Sequence, residues 1–131
     1  MDLSPPRSES DARLLQRIYP LYLHELSALT DYYRVDDEGR WQPDHLPDWL
    51  RGGQQHALII RVGARPAGFS FVAEVPFPYM HPDCDFQLSE FFVLNQWRRR
   101  GVGTAAALGT FGRFGGRWVV TEVTRNEVAQ A

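Results

Sequence analysis

The sequence predicts a single α/β domain over residues 1–131, a mixed and mostly antiparallel sheet flanked by helices. Three observations predict it. Leu14, Leu15, Ile18, Leu21, Tyr22, Leu26 and Leu29 recur at the three- and four-residue steps of an amphipathic helix. HALIIRV (56–62) and AGFSFVAEV (67–75) are strand-length runs joined by the tight connection Gly63-Ala64-Arg65-Pro66, the pattern of a hairpin. The apolar run LSEFFVL (88–94) leads through NQWRRR into GVGTAAALGTFGRF, which suits a helix, and then into WVVTEV (118–123), a further strand.

Taken in order, residues 1–10 hold two prolines, three serines and three charges, and read as a flexible or strand-leading arm. The first helix starts near Asp11, with Ser10 or Asp11 as its cap. Pro20 falls inside it and is expected to kink or split it near Tyr19. Asp31–Arg40 is polar and ends in an Asp-Asp-Glu-Gly turn. A short helix is expected around His45–Leu50, before the break at Gly52-Gly53. After the hairpin, Pro76–Asp85 carries three prolines and reads as a loop.

Composition narrows the class. Apolar content of 44% and charged content of 23% suit a soluble globular chain. A net charge of −2 argues against a general nucleic-acid binder, despite three consecutive arginines. All 14 basic residues are Arg, so no lysine serves as base or Schiff-base donor. The single Cys84 excludes an internal disulfide and agrees with a reducing cytoplasm. No run approaches the length of a membrane span, and MDLSPPRSES lacks the apolar core of a signal peptide. No metal-ligand pattern stands out, and a metal site is not expected.

The chemistry-bearing stretch is 98–104. A Gly-rich turn at a helix start leaves backbone N–H groups unpaired at the positive end of the helix dipole. Gly101 and Gly103 remove side chains that would hold a phosphate away, and Arg98, Arg99 and Arg100 add permanent charge. The stretch reads as a cradle for phosphate or pyrophosphate. Gly101-Val102-Gly103-Thr104-Ala105-Ala106 also reads G-x-G-x-x-A, with Glu122 about twenty residues on, as a dinucleotide fold asks. Against that fold, NQWRRR separates the glycines from their strand, and no further βα units follow Glu122.

Arg98-x-x-Gly101-x-Gly103, set between an apolar strand and a helix and followed by a strand and Asn126-x-x-Ala129, resembles the Q/R-x-x-G-x-G/A signature of the GCN5-related N-acetyltransferases, the GNAT family. The resemblance covers about Leu88 to Ala131 and implies an N-acetyltransferase that moves an acetyl group from acetyl-CoA directly to a primary amine of a small molecule or peptide. It implies that Arg98, Arg99, Arg100, Gly101, Val102, Gly103 and Thr104 hold the pyrophosphate. It also implies that the preceding strand bulges and pairs with the pantetheine through Phe91, Phe92 and Val93, and that Asn126 contacts the cofactor. A backbone N–H near Val93 would meet the oxyanion. The family continues with a helix and two more strands where this sequence stops. The resemblance therefore also predicts a GNAT fold lacking those elements, with WVVTEV as an exposed apolar edge that pairs two chains into a homodimer. A non-catalytic acetyl-CoA-binding module or a truncated remnant is the alternative, and a dinucleotide-binding protein comes third.

For the base, Glu90 stands in an apolar strand, where desolvation raises a carboxyl toward neutral pH. A solvent-facing or salt-bridged glutamate is the other reading. Glu122, near the end of the next strand, is a second candidate base, because some family members carry a catalytic carboxylate there. His24 and His81 are further candidates, while Cys84 has no motif to support a nucleophile. Tyr22, Tyr32, Tyr33 and Trp41 either line an acceptor pocket or belong to the core.

Overall fold

The computed structural model describes residues 1–75 and 83–120. The first ten residues are not a flexible arm: Asp2–Ser4 form strand β1 and Ser8 caps the first helix. Helix α1 runs unbroken from Glu9 to Ser27. Ser8 Oγ accepts the Asp11 N–H (3.2 Å), and the Asp11 carboxylate accepts the Arg7 N–H (2.9 Å). One free donor of the first turn, the Asp11 N–H, and the N–H of Arg7 just before the cap are thereby satisfied, which places the start earlier than Ser10. Pro20 lies inside α1 without splitting it, because a continuous buried stripe of Leu15, Ile18, Tyr19, Tyr22, Leu23 and Leu26 holds both halves on the sheet. Burial of so much apolar surface outweighs the roughly 3 kcal/mol that an interior proline costs.

The polar segment after α1 contains a small hairpin that the sequence pattern does not announce: β2 (Arg34–Val35) against β3 (Trp41–Gln42). Its turn is the expected one, with Asp36 Oδ1 accepting the N–H groups of Glu38 and Arg40, both at 2.9 Å. Helix α2 follows at Leu46–Arg51. Strands β4 (Gln55–Val62) and β5 (Arg65–Glu74) form the expected hairpin. Then come β6 (Phe86–Val93), a short 3-10 turn at Asn95–Trp97, α3 (Val102–Arg113) and β7 (Trp118–Val120). The remainder of the predicted last strand lies outside the described residues.

The main sheet has the order β1-β4-β5-β6-β7, antiparallel except for the parallel pair β6–β7 that brackets α3. It is mixed, mostly antiparallel and flanked by helices, as predicted. Helices α1 and α2 cover one face, over Ala57, Ile59, Phe69, Phe71, Ala73 and Phe92. Helix α3 covers the other, over Ile60, Ala67 and Val93 through its own Val102 and Ala106. A buried hydrogen bond between the hydroxyls of Ser70 and Thr110 (2.9 Å) ties α3 to β5, and Thr110 also donates to the Ala106 carbonyl (2.8 Å). Trp118, expected on an uncovered face, is half-buried: it stacks on Phe86 and meets Phe111 and Phe114 of the α3 segment.

Gly68 shows how closely β5 and β6 approach at the end that carries the site. Its φ is +157°, and a Cβ there would overlap the carbonyl oxygen of Phe92. Gly68→Ala is expected to destabilise the fold by about 2 kcal/mol or more, because only separation of the two strands makes room. A lower urea midpoint with an unchanged slope is the expected reading.

Candidate active site

The site is organised by one extra residue in β6. Phe71 of β5 faces Glu90, but the next residue, Val72, faces Leu88, so Ser89 has no opposite number. A bulge of this kind shifts the alternation of side chains by one position. Before it, Phe86 and Leu88 face α3. After it, Phe92 faces the α1 side, and Glu90 reaches Tyr19 of α1 and Trp49 of α2. Were Ser89 paired in regular register, continued alternation would place Glu90 and Phe92 on the α3 face with Phe86 and Leu88.

Glu90 is 8% exposed. The Tyr19 hydroxyl donates to its Oε1 at 2.7 Å, and the Trp49 indole N–H donates to its Oε2. Burial raises the Glu90 pKa to about 7, and the charge of Asp44 adds to the rise; the two hydrogen bonds pull the other way without cancelling it. A carboxyl titrating near neutrality can take up and release a proton at working pH. Burial likewise raises Tyr33 to about 12, with the charge of Glu90 a lesser cause, and pushes Tyr22 well above the ordinary phenol range.

On the open side of Tyr19 lies a cleft of about 480 Å³ between α1 and residues 39–46. Gln16, Trp41, Gln42 and Asp44 give it polar and aromatic walls. Of the four aromatic residues proposed for an acceptor pocket, Trp41 lines this cleft. Tyr22 belongs to the core against Phe69 and Phe92, and Tyr32 is 61% exposed and packs on Tyr33. His24 sits on the outer side of α1 beside Trp41, and Cys84 is buried away from the cleft.

The cradle follows the same strand. Gly101 caps α3 in the left-handed conformation (φ +79°, ψ +1°), with open space where a side chain would begin. No side chain caps this helix start, so the first-turn N–H groups of Val102, Gly103 and Thr104 are left for a ligand or water. Arg99 also takes a left-handed φ of +62°. Val102 and Gly103 are buried, so these two can offer a ligand little beyond their backbone N–H groups, while Arg99, Arg100 and Thr104 are exposed.

Arg98 has a different character from its neighbours. Its Nε donates to the Val93 carbonyl (2.7 Å), one terminal nitrogen lies 2.8 Å from both Glu25 carboxylate oxygens, and the guanidinium lies 5.4 Å from the centre of the Phe92 ring. Its side chain is therefore a clamp between α1 and the end of β6. Phe92 and Val93 bury their side chains on opposite faces of the sheet, so a ligand along β6 would meet their backbone. The strand irregularity expected at Phe91–Val93 stands earlier, at Ser89, where the register with β5 shifts. Pairing of β6 with β7 is described from Phe86 to Leu88, so a separation of the two strands beyond that point lies outside the described residues. Glu122, Asn126 and His81 also lie outside the described residues. Tyr19 and Trp49, the partners of Glu90, carry no motif; only their places on the buried stripes of α1 and α2 hint at them.

No family model and no curated protein matches the chain. Solved structures do. A ribosomal-protein-alanine N-acetyltransferase from Brucella melitensis biovar Abortus 2308 aligns with 98% of this chain and 84% of its own, at 15% identity and a TM-score of 0.62. A putative GNAT-family acetyltransferase from Bacteroides thetaiotaomicron aligns with 99% of this chain and 65% of its own, at 19% identity and a TM-score of 0.61. The fold is the GNAT fold. A third GNAT-fold neighbour is an aminoglycoside acetyltransferase from an uncultured soil metagenomic sample, at 15% identity and a TM-score of 0.58 over 98% of this chain and 82% of that one. Among the described residues no cluster of His, Cys, Asp and Glu could hold a metal, and no helix is long and apolar enough to cross a membrane.

Glu90 makes stability depend on pH in a definite direction. Folding raises its pKa from 4.5 to about 7, so its contribution is fully present below pH 4.5 and is lost as pH rises through about 7. Glu90→Gln keeps the shape and removes the ionisation. The variant is expected to match the parent near pH 4.5 and to exceed it by up to about 3 kcal/mol at pH 8. Urea titrations at both pH values read this out. A parent protein that is more stable at pH 8 than at pH 5, with the variant showing the same slope, would contradict it.

Proposed function

We propose that this chain is an acetyl-CoA-dependent N-acetyltransferase that acts on a primary amine of a small molecule or peptide by direct transfer. The observation that carries the reading is that one strand, β6, holds a buried carboxyl titrating near neutrality and runs on into an uncapped, glycine-rich helix start with two exposed arginines. The first suits removal of a proton from an amine and the second suits the phosphates of coenzyme A. A glycine cap with open space above it and free N–H groups beneath fits a pyrophosphate. When bound there, acetyl-CoA supplies the activated acetyl group.

The cleft beside Tyr19 takes the acceptor in this reading, and the Asp44 carboxylate draws a cationic amine into it. The amine nitrogen forms the new C–N bond as the C–S bond breaks. Its proton passes to Glu90, which Tyr19 and Trp49 hold in place, and the sulfur leaves as thiolate. Orientation of the two substrates supplies much of the rate. Glu122 remains a second candidate base and Asn126 a candidate cofactor contact. A sequence with one cysteine, Cys84, suits a reducing cytoplasm. Pairing of two chains along β7, the last strand of the described sheet, is the assembly we propose, and light scattering tests it.

One observation favours a second reading. Both Glu90 oxygens already accept hydrogen bonds from core residues, as expected of a buried structural carboxyl in an acetyl-CoA-binding module without turnover. Thiol release over an amine panel separates the two. Acetyl-CoA is expected to raise stability by about 2.7 kcal/mol at a hundredfold excess over Kd. Gly103→Val is expected to abolish this by crowding the cradle. Glu90→Gln is expected to lower kcat at pH 7 by roughly 10²–10⁴-fold with cofactor affinity unchanged, and the loss should shrink at high pH, where the amine deprotonates unaided. Stabilisation without thiol release on any amine would favour the binding module.

A further inference from the structure

We propose that the cleft lined by Arg65, Pro66, Leu94, Gln96, Trp97 and Arg100, about 400 Å³ in volume, is a site for a phosphate monoester group next to the cradle. The inference rests on the reading of 98–104 as a phosphate cradle and extends it to a second anion.

The charge pattern points there. Arg13, Arg40, Arg51, Arg61, Arg98 and Arg117 each meet a carboxylate. Arg17, Arg34, Arg65, Arg99, Arg100 and Arg113 have no ion pair among the described residues, and of these Arg65 and Arg100 share one cleft. The two come from different elements, Arg65 from the start of β5 and Arg100 from the loop before α3, yet they line one cleft. No carboxylate is among its lining residues. Like charges brought together without a counter-ion repel one another, so an anion between them relieves a standing cost.

The surroundings fix the arrangement. The Leu94 N–H donates to the Ala67 carbonyl at 2.7 Å, which locks the loop to β5 two residues from Arg65. The Arg100 guanidinium lies 5.5 Å from the centre of the Trp97 ring. Packing on an aromatic ring restrains the group and leaves its N–H edge available for oxygen atoms. Pro66 and Leu94 supply apolar walls that strengthen charge interactions inside the cleft. The Trp97 indole N–H is buried and has no acceptor among the described residues. A buried donor without an acceptor is costly, and Trp97 is one of the residues lining the cleft.

Coenzyme A itself carries a phosphate monoester, on its ribose, in addition to the pyrophosphate. The cleft therefore takes either that group or the phosphate of a separate ligand. Isothermal titration of the full chain with coenzyme A and with 3′-dephospho-coenzyme A separates the sources. If the cofactor's own phosphate occupies the cleft, coenzyme A binds about tenfold or more tighter, and Arg65→Gln removes the difference while leaving 3′-dephospho-coenzyme A binding unchanged. If a separate ligand occupies it, the two forms bind alike. Inorganic phosphate then binds the chain saturated with 3′-dephospho-coenzyme A, and Arg65→Gln abolishes that binding. Arg17→Gln, a control on α1 far from the cleft in sequence, leaves both results unchanged. Equal binding of the two cofactor forms together with no phosphate binding overturns the proposal while leaving the cradle intact. Failure of both forms to bind overturns the cradle instead, and titration of the unliganded chain with inorganic phosphate, with Arg65→Gln abolishing or not abolishing the binding, decides the cleft.

Discussion

The structure depends on a single unpaired residue. Ser89 adds one position to β6 that β5 does not match. A strand cannot otherwise present Leu88 to one helix layer and Glu90 to the other, because alternation would keep both on one face. The change of face places a carboxyl inside the aromatic layer formed by Tyr19, Trp49 and Phe71. Its ordinary acidity is lost there because water is removed from around it. The raised pKa of Glu90 thus comes from backbone register rather than from an unusual residue.

The end of β6 is fixed by a different device. The three consecutive arginines look equivalent in sequence, yet they divide the work. Arg98 turns inward to Glu25, Val93 and Phe92 and holds the strand end against α1. Arg99 and Arg100 stay exposed, with positive charge available to solvent or ligand. An inward arginine of this kind keeps the loop in place while Gly101 after it takes left-handed backbone. Rigid support on one side and bare backbone on the other are what an anion site needs.

Most of the architecture was legible in the chain. The stripe from Leu15 to Leu26, the hairpin around Gly63, and the strand–cradle–helix run each carry a local pattern strong enough to specify the element. Glu90 was legible as a polar residue in an apolar run. Tyr19 and Trp49 were not, because their role arises from three separate elements meeting. Nor was the bulge position: LSEFFVL has no glycine or proline to mark it, and only pairing with β5 shows that Ser89 is surplus. Residues 1–10 read only as a flexible or strand-leading arm, because an edge strand as short as Asp2–Ser4, with prolines beside it, has no periodicity to detect. Pro20 misled in the other direction. A local rule predicted a break, and the tertiary burial of both flanking turns overrode it.

Helix α1 has a part in both halves of the site. Tyr19 on one turn holds Glu90 and walls the cleft, while Glu25 further along holds Arg98 and, through it, the loop that leads to the cradle. The helix behaves as a lever shared by two grips. Under the proposed function, a displacement of α1 at Tyr19 is carried along one continuous helix to the Arg98–Glu25 contact, and any coupling between cleft and cradle acts equally in both directions.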